Sequence, residues 1–317
     1  MIPAVEISGL RKRYRRVEAL RGIDLVVPSG SVFGFLGPNG AGKSTTMKIL
    51  MGLIRHGEGT AHVLGRDVGE GTAVRAQIGY LPQNPSFYDR MRVYRVLQFV
   101  ARRFMTGSRQ AINDRVGDTL ALVGLSGKED RRVGDLSGGE LRRLGIAQAY
   151  VGHPELLILD EPSVGLDPAG RREVIDLLDA LRQQTTVFYS THILDDVQRI
   201  ADYIAVLDRG QIISQGSIDE FLATGEASYR VGLGGDGESV INSLSAEPWV
   251  ATTTPLGDGC WRVAATDRST VEKQLAPHLL AQGAVVTEIR PEQRSLEEIY
   301  LEITERSEQD KEAVDGD

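Results

Sequence analysis

The sequence predicts an α/β protein with a mostly parallel sheet and helices on its faces, followed by a smaller α+β domain. Three observations lead there. Strand-like and helix-like apolar periods alternate between residues 155 and 200, as parallel strands joined by crossover helices require. A glycine-rich turn at residues 37–44 joins a short apolar run to a helical one. Residues 229–289 read strand, helix, strand, strand, helix, strand, the order of a ferredoxin-like sandwich. At 317 residues the chain is long enough for two domains, each with a core.

Each element has its own justification. The apolar-rich runs Val5-Glu-Ile7 and Ile23-Asp-Leu-Val-Val27 flank the basic cluster Arg11-Lys-Arg-Tyr-Arg-Arg16, the setting of a hairpin. That cluster could serve a nucleic acid, but the net charge of −8 argues against a general nucleic-acid binder. A solvated hairpin edge is the preferred reading. Ser31-Val-Phe-Gly-Phe-Leu-Gly37 has a buried-strand pattern ending in glycine, and residues 45–53 continue as a helix. Residues 86–135 read as an inserted helical subdomain, with Val93, Val96, Leu97 and Val100, then Val116, Leu120 and Val123, at helical spacing. Strands at 156–159 and 186–190 alternate with helices at 172–183 and 193–200.

The polar stretch at 223–227 is read as a boundary, giving domains 1–224 and 225–305. In the second, strands are expected at 229–233, 250–255, 261–265 and 285–289, and helices at 238–244, 270–282 and 296–304. The acidic residues 306–317 read as a frayed, solvated tail. Gly232-Leu-Gly-Gly-Asp-Gly237 matches G-x-G-x-x-G, but no second strand–helix unit follows, so it is read as a turn. No apolar run approaches the length of a membrane span. The N-terminus shows no signal-peptide core, and the single cysteine, Cys260, suits a reducing compartment. A cytoplasmic location is expected.

Two stretches carry chemistry. Gly37-Pro38-Asn39-Gly40-Ala41-Gly42-Lys43-Ser44 fits the phosphate-loop pattern G-x-x-x-x-G-K-[ST] and lies between a strand and a helix. Such a loop turns backbone N–H groups onto phosphate oxygens at the positive end of a helix. Lys43 would reach the β- and γ-phosphates, and the Ser44 hydroxyl would ligate Mg²⁺; Thr45 follows in the same turn. Leu156-Leu-Ile-Leu-Asp160-Glu161 buries a strand and leaves two carboxylates at its C-terminal end, where ligands of parallel sheets collect. Asp160 is placed for the Mg²⁺ shell. Glu161 could orient a water in line with the γ-phosphate.

Together these pieces closely resemble the nucleotide-binding subunits of ABC transporters, and the resemblance covers nearly all of residues 1–224. It implies a phosphate-loop ATPase core with an antiparallel β subdomain and a helical insert, binding ATP and Mg²⁺. It implies that Tyr14 stacks on adenine, that Gln83 in Tyr80-Leu-Pro-Gln83 senses Mg²⁺ and the γ-phosphate, and that His192 contacts the γ-phosphate. Leu136-Ser137-Gly138-Gly139-Glu140 resembles the family's signature loop, which acts in trans, and Ser163-Val-Gly-Leu-Asp167 the loop that signals between opposed sites. The implied partners are a second ATPase subunit, placed head to tail, and a membrane permease that holds the chain peripherally at the cytoplasmic face.

Ser295-Leu-Glu-Glu-Ile-Tyr-Leu-Glu302 is similar to the ending of ATPase subunits from type-2 exporters. The alternatives are a soluble ABC ATPase acting on nucleic acid or the ribosome, whose arms and metal motifs are not seen, and a GTPase, whose Asn-Lys-x-Asp stretch is missing. Two departures stand out. Asp89-Arg-Met-Arg-Val-Tyr-Arg95 is unusually basic, so an acidic segment on the permease is expected. Glu140 replaces the commoner glutamine, and Ser137-Gly-Gly-Glu140 is also a capping box, so the acid is read as helix punctuation.

Overall fold

The computed structural model describes residues 2–70, 72–223, 227–235, 237–292 and 295–315. These form two compact units, residues 1–218 with 303–317, and residues 219–302.

The first unit opens with the expected hairpin, β1 (Val5–Tyr14) and β2 (Val17–Val27), paired antiparallel. Its basic cluster is exposed and partly paired within the chain, Arg11 with Glu18 at 2.9 Å and Glu58 at 3.8 Å. Then come β3 (Val32–Leu36), α1 (Lys43–Leu50), β4 (Glu58–Val63) and β5 (Arg66–Asp67). One antiparallel sheet has the order β2-β1-β4-β5. The chain continues through α2 (Thr72–Arg75), β6 (Ile78–Leu81), α3 (Val93–Phe104), α4 (Arg109–Leu122) and α5 (Gly138–Tyr150). There follow β7 (Leu156–Asp160), α6 (Pro168–Leu181), β8 (Thr186–Thr191), α7 (Leu194–Ile200), β9 (Tyr203–Asp208) and β10 (Gln211–Ser217).

The second sheet runs β10-β9-β3-β8-β7-β6, parallel except for the β10 edge. Every residue of β3, β7 and β8 is buried, as strands covered on both faces must be. Their C-terminal ends at Leu36, Asp160 and Thr191 are register neighbours, Leu36 with Thr191 and Asp160 with Ser190. Residues 37, 161 and 192 therefore emerge side by side. The helix at 172–183 begins earlier than its apolar period suggests, at Pro168, because Asp167 caps it and proline suits the first turn.

The second unit contains most of α8 (Ile218–Ala223), then β11 (Ala227–Gly234), α9 (Gly237–Leu244), β12 (Val250–Gly257), β13 (Cys260–Ala265), α10 (Arg268–Ala281) and β14 (Val285–Glu292). The sheet order β12-β13-β11-β14, all antiparallel, is the ferredoxin-like arrangement expected from the sequence. Its core contains Tyr229, Val231, Leu244, Val263, Val271 and Leu279. The stretch that mimics a dinucleotide fingerprint places Gly232 in β11 and Gly237 at the start of α9. A Cβ on Gly237 would fall 2.5 Å from the Trp261 ring, so packing accounts for that glycine.

Two further boundaries differ from expectation. The units divide at Ile218 and Asp219 rather than at 224, because α8 belongs with the second unit; residues 224–226 of the expected boundary lie outside the described residues. The final helix, α11 (Leu296–Asp315), runs well past 304, so the expected tail is helical over most of its length. Glutamate recurs there, joined by Arg306, Gln309, Lys311 and Ala313, all good helix formers, and helix propensity outweighs the acidic excess. Residues 316–317 of that tail lie outside the described residues.

Candidate functional site

The phosphate-loop stretch leaves β3 and enters α1 through Gly42, whose φ is +117°. A Cβ there would lie 2.8 Å from the Ala19 carbonyl oxygen and 2.8 Å from a Leu20 methyl. No side chain caps α1, and no acid sits in its first turn. Its leading amides have no intrahelical acceptor. A cavity of about 260 Å³ opens there, lined by Ala19, Pro38, Asn39, Gly40, Gly42, Lys43, Ser44, Thr45, Gln83 and Glu161. The structure thus gathers much of the expected site. Ala41 is buried in the loop's wall, its amide donating to the Pro38 carbonyl at 3.2 Å. The Gly37 amide donates to the Thr191 carbonyl at 3.3 Å.

Lys43 is buried and folds back on its own loop. Its Nζ donates to the carbonyls of Gly37 at 2.5 Å and Pro38 at 3.2 Å, and pairs with Glu161 Oε1 at 3.1 Å. Glu161 stands directly after β7 with φ at +51°, an unusual backbone for a residue with a side chain. Its amide donates to Ser190 Oγ at 2.9 Å, and Ser190 donates onward to Asp160 Oδ1 at 2.7 Å. His192 Nδ1 lies 3.0 Å from Glu161 Oε2. One buried carboxylate is therefore held between the loop lysine and the histidine. Asp160 also acts on Tyr80, whose hydroxyl is pushed up to about 12, first by burial and second by that neighbouring charge.

Other expected residues lie outside this cavity's lining. Tyr14 is exposed near the end of the β1–β2 hairpin, with Lys12 Nζ 5.2 Å from its ring centroid. Asp167 is exposed and caps α6, accepting from the Gly170 amide at 3.0 Å. Ser137 caps α5 and accepts from the Glu140 amide at 3.3 Å; the Glu140 carboxylate accepts from the Ser137 amide at 2.8 Å. The capping box read from the sequence is complete. Glu140 also pairs with Lys128, and with Arg131 at 3.9 Å. The hydrogen bond from Lys128 and then that from Ser137 pull its carboxyl down to about 2.

Sequence reasoning missed two groups. Ser190 ties Asp160 to the Glu161 backbone, and its position just before Thr191-His192 was the available signal. Asp196 is buried and accepts from Ser163 Oγ at 2.7 Å and from Arg171 Nε at 2.6 Å. It anchors the stretch that leads from Glu161 to Asp167, and no local pattern marks it.

The chain matches the ABC transporter family over residues 20–164. It is 34% identical to the daunorubicin resistance ATP-binding protein DrrA3 of Streptomyces coeruleorubidus, over 98% of this chain and 99% of that one. It is 32% identical to the bacitracin transport ATP-binding protein BcrA of Enterococcus faecalis, over 94% of this chain and 96% of that one. In structure it is similar to a dimeric ATP-binding cassette solved in a post-hydrolysis state with ADP and Pi. There the TM-score is 0.63 at 22% identity, over 68% of this chain and 98% of that one, a likeness of fold.

Proposed function

The chain belongs to the ABC transporter family as an ATP-binding subunit, and from that premise we propose that it hydrolyses ATP with Mg²⁺ to power export through a separate membrane permease. The observation that carries the reading is the convergence of Lys43, Ser44, Gln83 and Glu161 on one cavity at the ends of parallel strands. Among the described residues no helix is long and apolar enough to cross a membrane. Relatives named for daunorubicin resistance and bacitracin transport support export of drug-like antibiotics. A neighbouring fold solved as a dimer with ADP and Pi is in keeping with a pair of subunits as the working unit, and the family resemblance sets that pair head to tail.

In the reaction ATP and water become ADP and phosphate. The chain's part is positioning and electrostatic stabilisation of a loose phosphoryl transition state. The open amides of α1 receive the phosphate oxygens. Lys43 exchanges its loop carbonyls and Glu161 for the β- and γ-phosphates, which releases Glu161 to orient the attacking water and accept its proton. His192, within hydrogen-bond distance of Glu161, and Gln83 complete the γ-phosphate surroundings. The Ser44 hydroxyl, the Gln83 amide oxygen and the Asp160 carboxylate are hard oxygen donors that fit Mg²⁺. When bound, the ion supplies charge neutralisation of the phosphates. Tyr14 stacks on the adenine, and Ser137, Gly138 and Gly139 close over the nucleotide of the opposed subunit, with Asp167 signalling between the sites.

Replacing Glu161 by Gln tests this directly. ATP binding should persist by equilibrium titration while turnover falls about 10²–10³-fold; near wild-type turnover would remove Glu161 from the role. A second proposal concerns the permease contact. Arg90, Arg92 and Arg95 are exposed. Arg92 is already paired with Asp130 at 2.5 Å, so its charge is partly spent within the chain. The Arg95 guanidinium donates to the neutral Gln98 side-chain oxygen at 2.8 Å and has no ion pair among the described residues, so it is the better contact for an acidic permease segment. Arg95→Glu should weaken co-purification with the permease. Recovery equal to wild type would sink the charge argument.

A further inference from the structure

The signature stretch opens α5, and the fifth residue of that helix reaches across to the phosphate site. Arg142 donates through one guanidinium nitrogen to the Gln83 carbonyl at 3.0 Å and through the other to the Val164 carbonyl at 3.3 Å. Gln83 lines the nucleotide cavity, and Val164 lies in the stretch between Glu161 and Asp167. The guanidinium is half-buried; burial holds it below its ordinary range, opposed by the neighbouring Asp160 and Glu161 carboxylates. Its neighbour Arg143 points elsewhere, to Glu173 on α6.

We infer that Arg142 is a positioning residue that locks the loop carrying Gln83 and the loop after Glu161 to α5. Both contacts go to backbone carbonyls, so Arg142 places the two loops whatever side chains they carry. One guanidinium reaches both carbonyls only while the three segments keep one relative arrangement. The consequence is coupling: movement of α5 on closing over a second subunit's nucleotide is passed to Gln83 and to the loop behind Glu161. The functional half of this inference rests on the ATPase reading above.

The test uses Arg142→Met, which keeps the stem and removes both donors, and Arg142→Lys, which keeps the charge and one donor nitrogen. Hydrogen exchange reads the structural half without any turnover. Amides of Gln83, Asn84 and residues 86–88, and of residues 163–167, should exchange faster in Arg142→Met, with Arg142→Lys intermediate; unchanged exchange in both loops overturns the inference even if ATPase activity is absent. Steady-state kinetics read the other half. In Arg142→Met, kcat should fall on the order of 10²-fold with KM for ATP nearly unchanged, and the Hill coefficient should drop from about 2 towards 1. Adding Gln83→Ala to Arg142→Met should cost far less than it costs in wild type, because both act through one loop. Additive losses, or an undiminished Hill coefficient, would overturn the coupling. Wild type lacking any ATPase activity would count against the proposed function instead.

Discussion

Two helices of the first unit, α1 and α5, begin on glycine-rich turns that look alike in sequence and are finished in opposite ways. At α1 the cap position is Gly42 at φ +117°, no side chain reaches the leading amides, and the first turn carries no acid. At α5 a serine cap and Glu140 satisfy each other's amides, and the acid is matched by Lys128 and Arg131. A helix start left uncapped keeps its donors and its positive field for an anion. A helix start closed by a capping box has already used some of them. The capping, more than the glycine count, distinguishes the loop proposed to hold phosphate in its own chain from the one proposed to offer the Gly138 and Gly139 amides to a partner's nucleotide.

The sharpest way to break this comparison is Gly42→Ala. The positive φ costs a side chain about 1–3 kcal/mol, and the new Cβ would collide with the Ala19 carbonyl oxygen, which is backbone and cannot swing away. The loop must shift, and its amides with it. ATP affinity should fall at least tenfold, since about 1.4 kcal/mol is worth that factor. Titration of the purified chain with ATP checks it, alongside a thermal melt to separate binding from folding. Affinity within twofold of wild type would mean the geometry at Gly42 is not what holds the phosphates.

Much of this contrast was legible locally, because both turns are contiguous and their spacing is diagnostic. Gly37 to Ser44, the pair Asp160-Glu161 and the Ser137/Glu140 box each span a few residues. What was not legible comes from pairing at a distance. Ser190 meets Asp160 only because β7 and β8 run parallel in that register. Arg142 meets the Gln83 carbonyl across 59 positions of sequence. Lys128 and Arg131 lie in the connection between α4 and α5, where charge pattern alone does not say which acid they face. Tyr14 shows the reverse case: family resemblance assigns it a role, while its exposed place on the hairpin shows only a neighbouring lysine. The ferredoxin-like order of the second unit was readable because its strand-like runs and helical runs follow one another in separate stretches divided by polar or glycine-containing turns.

The smallest predicted effect lies at Glu140, and its sign can be worked out. Its folded carboxyl is depressed to about 2 from an ordinary 4.5, first through Lys128 and then through the Ser137 amide. A depressed acid contributes stability that is fully present above its unfolded value and fades as pH falls from near 4.5 through about 2. Replacing Glu140 by Gln keeps an oxygen to accept the Ser137 amide but leaves Lys128 and Arg131 without their partner. At neutral pH the cost should be about 1 kcal/mol or less, because both cations are partly exposed. Urea unfolding of the two proteins should therefore differ slightly at pH 7 and converge as pH falls through about 2, while NMR titration of the Glu140 carboxyl carbon reads the depressed value itself. ATP affinity should hold or improve, since a carboxylate near the α5 start offsets its positive field. A large loss of ATPase activity in Glu140→Gln, with folding intact, would show that the acid does more than finish a helix.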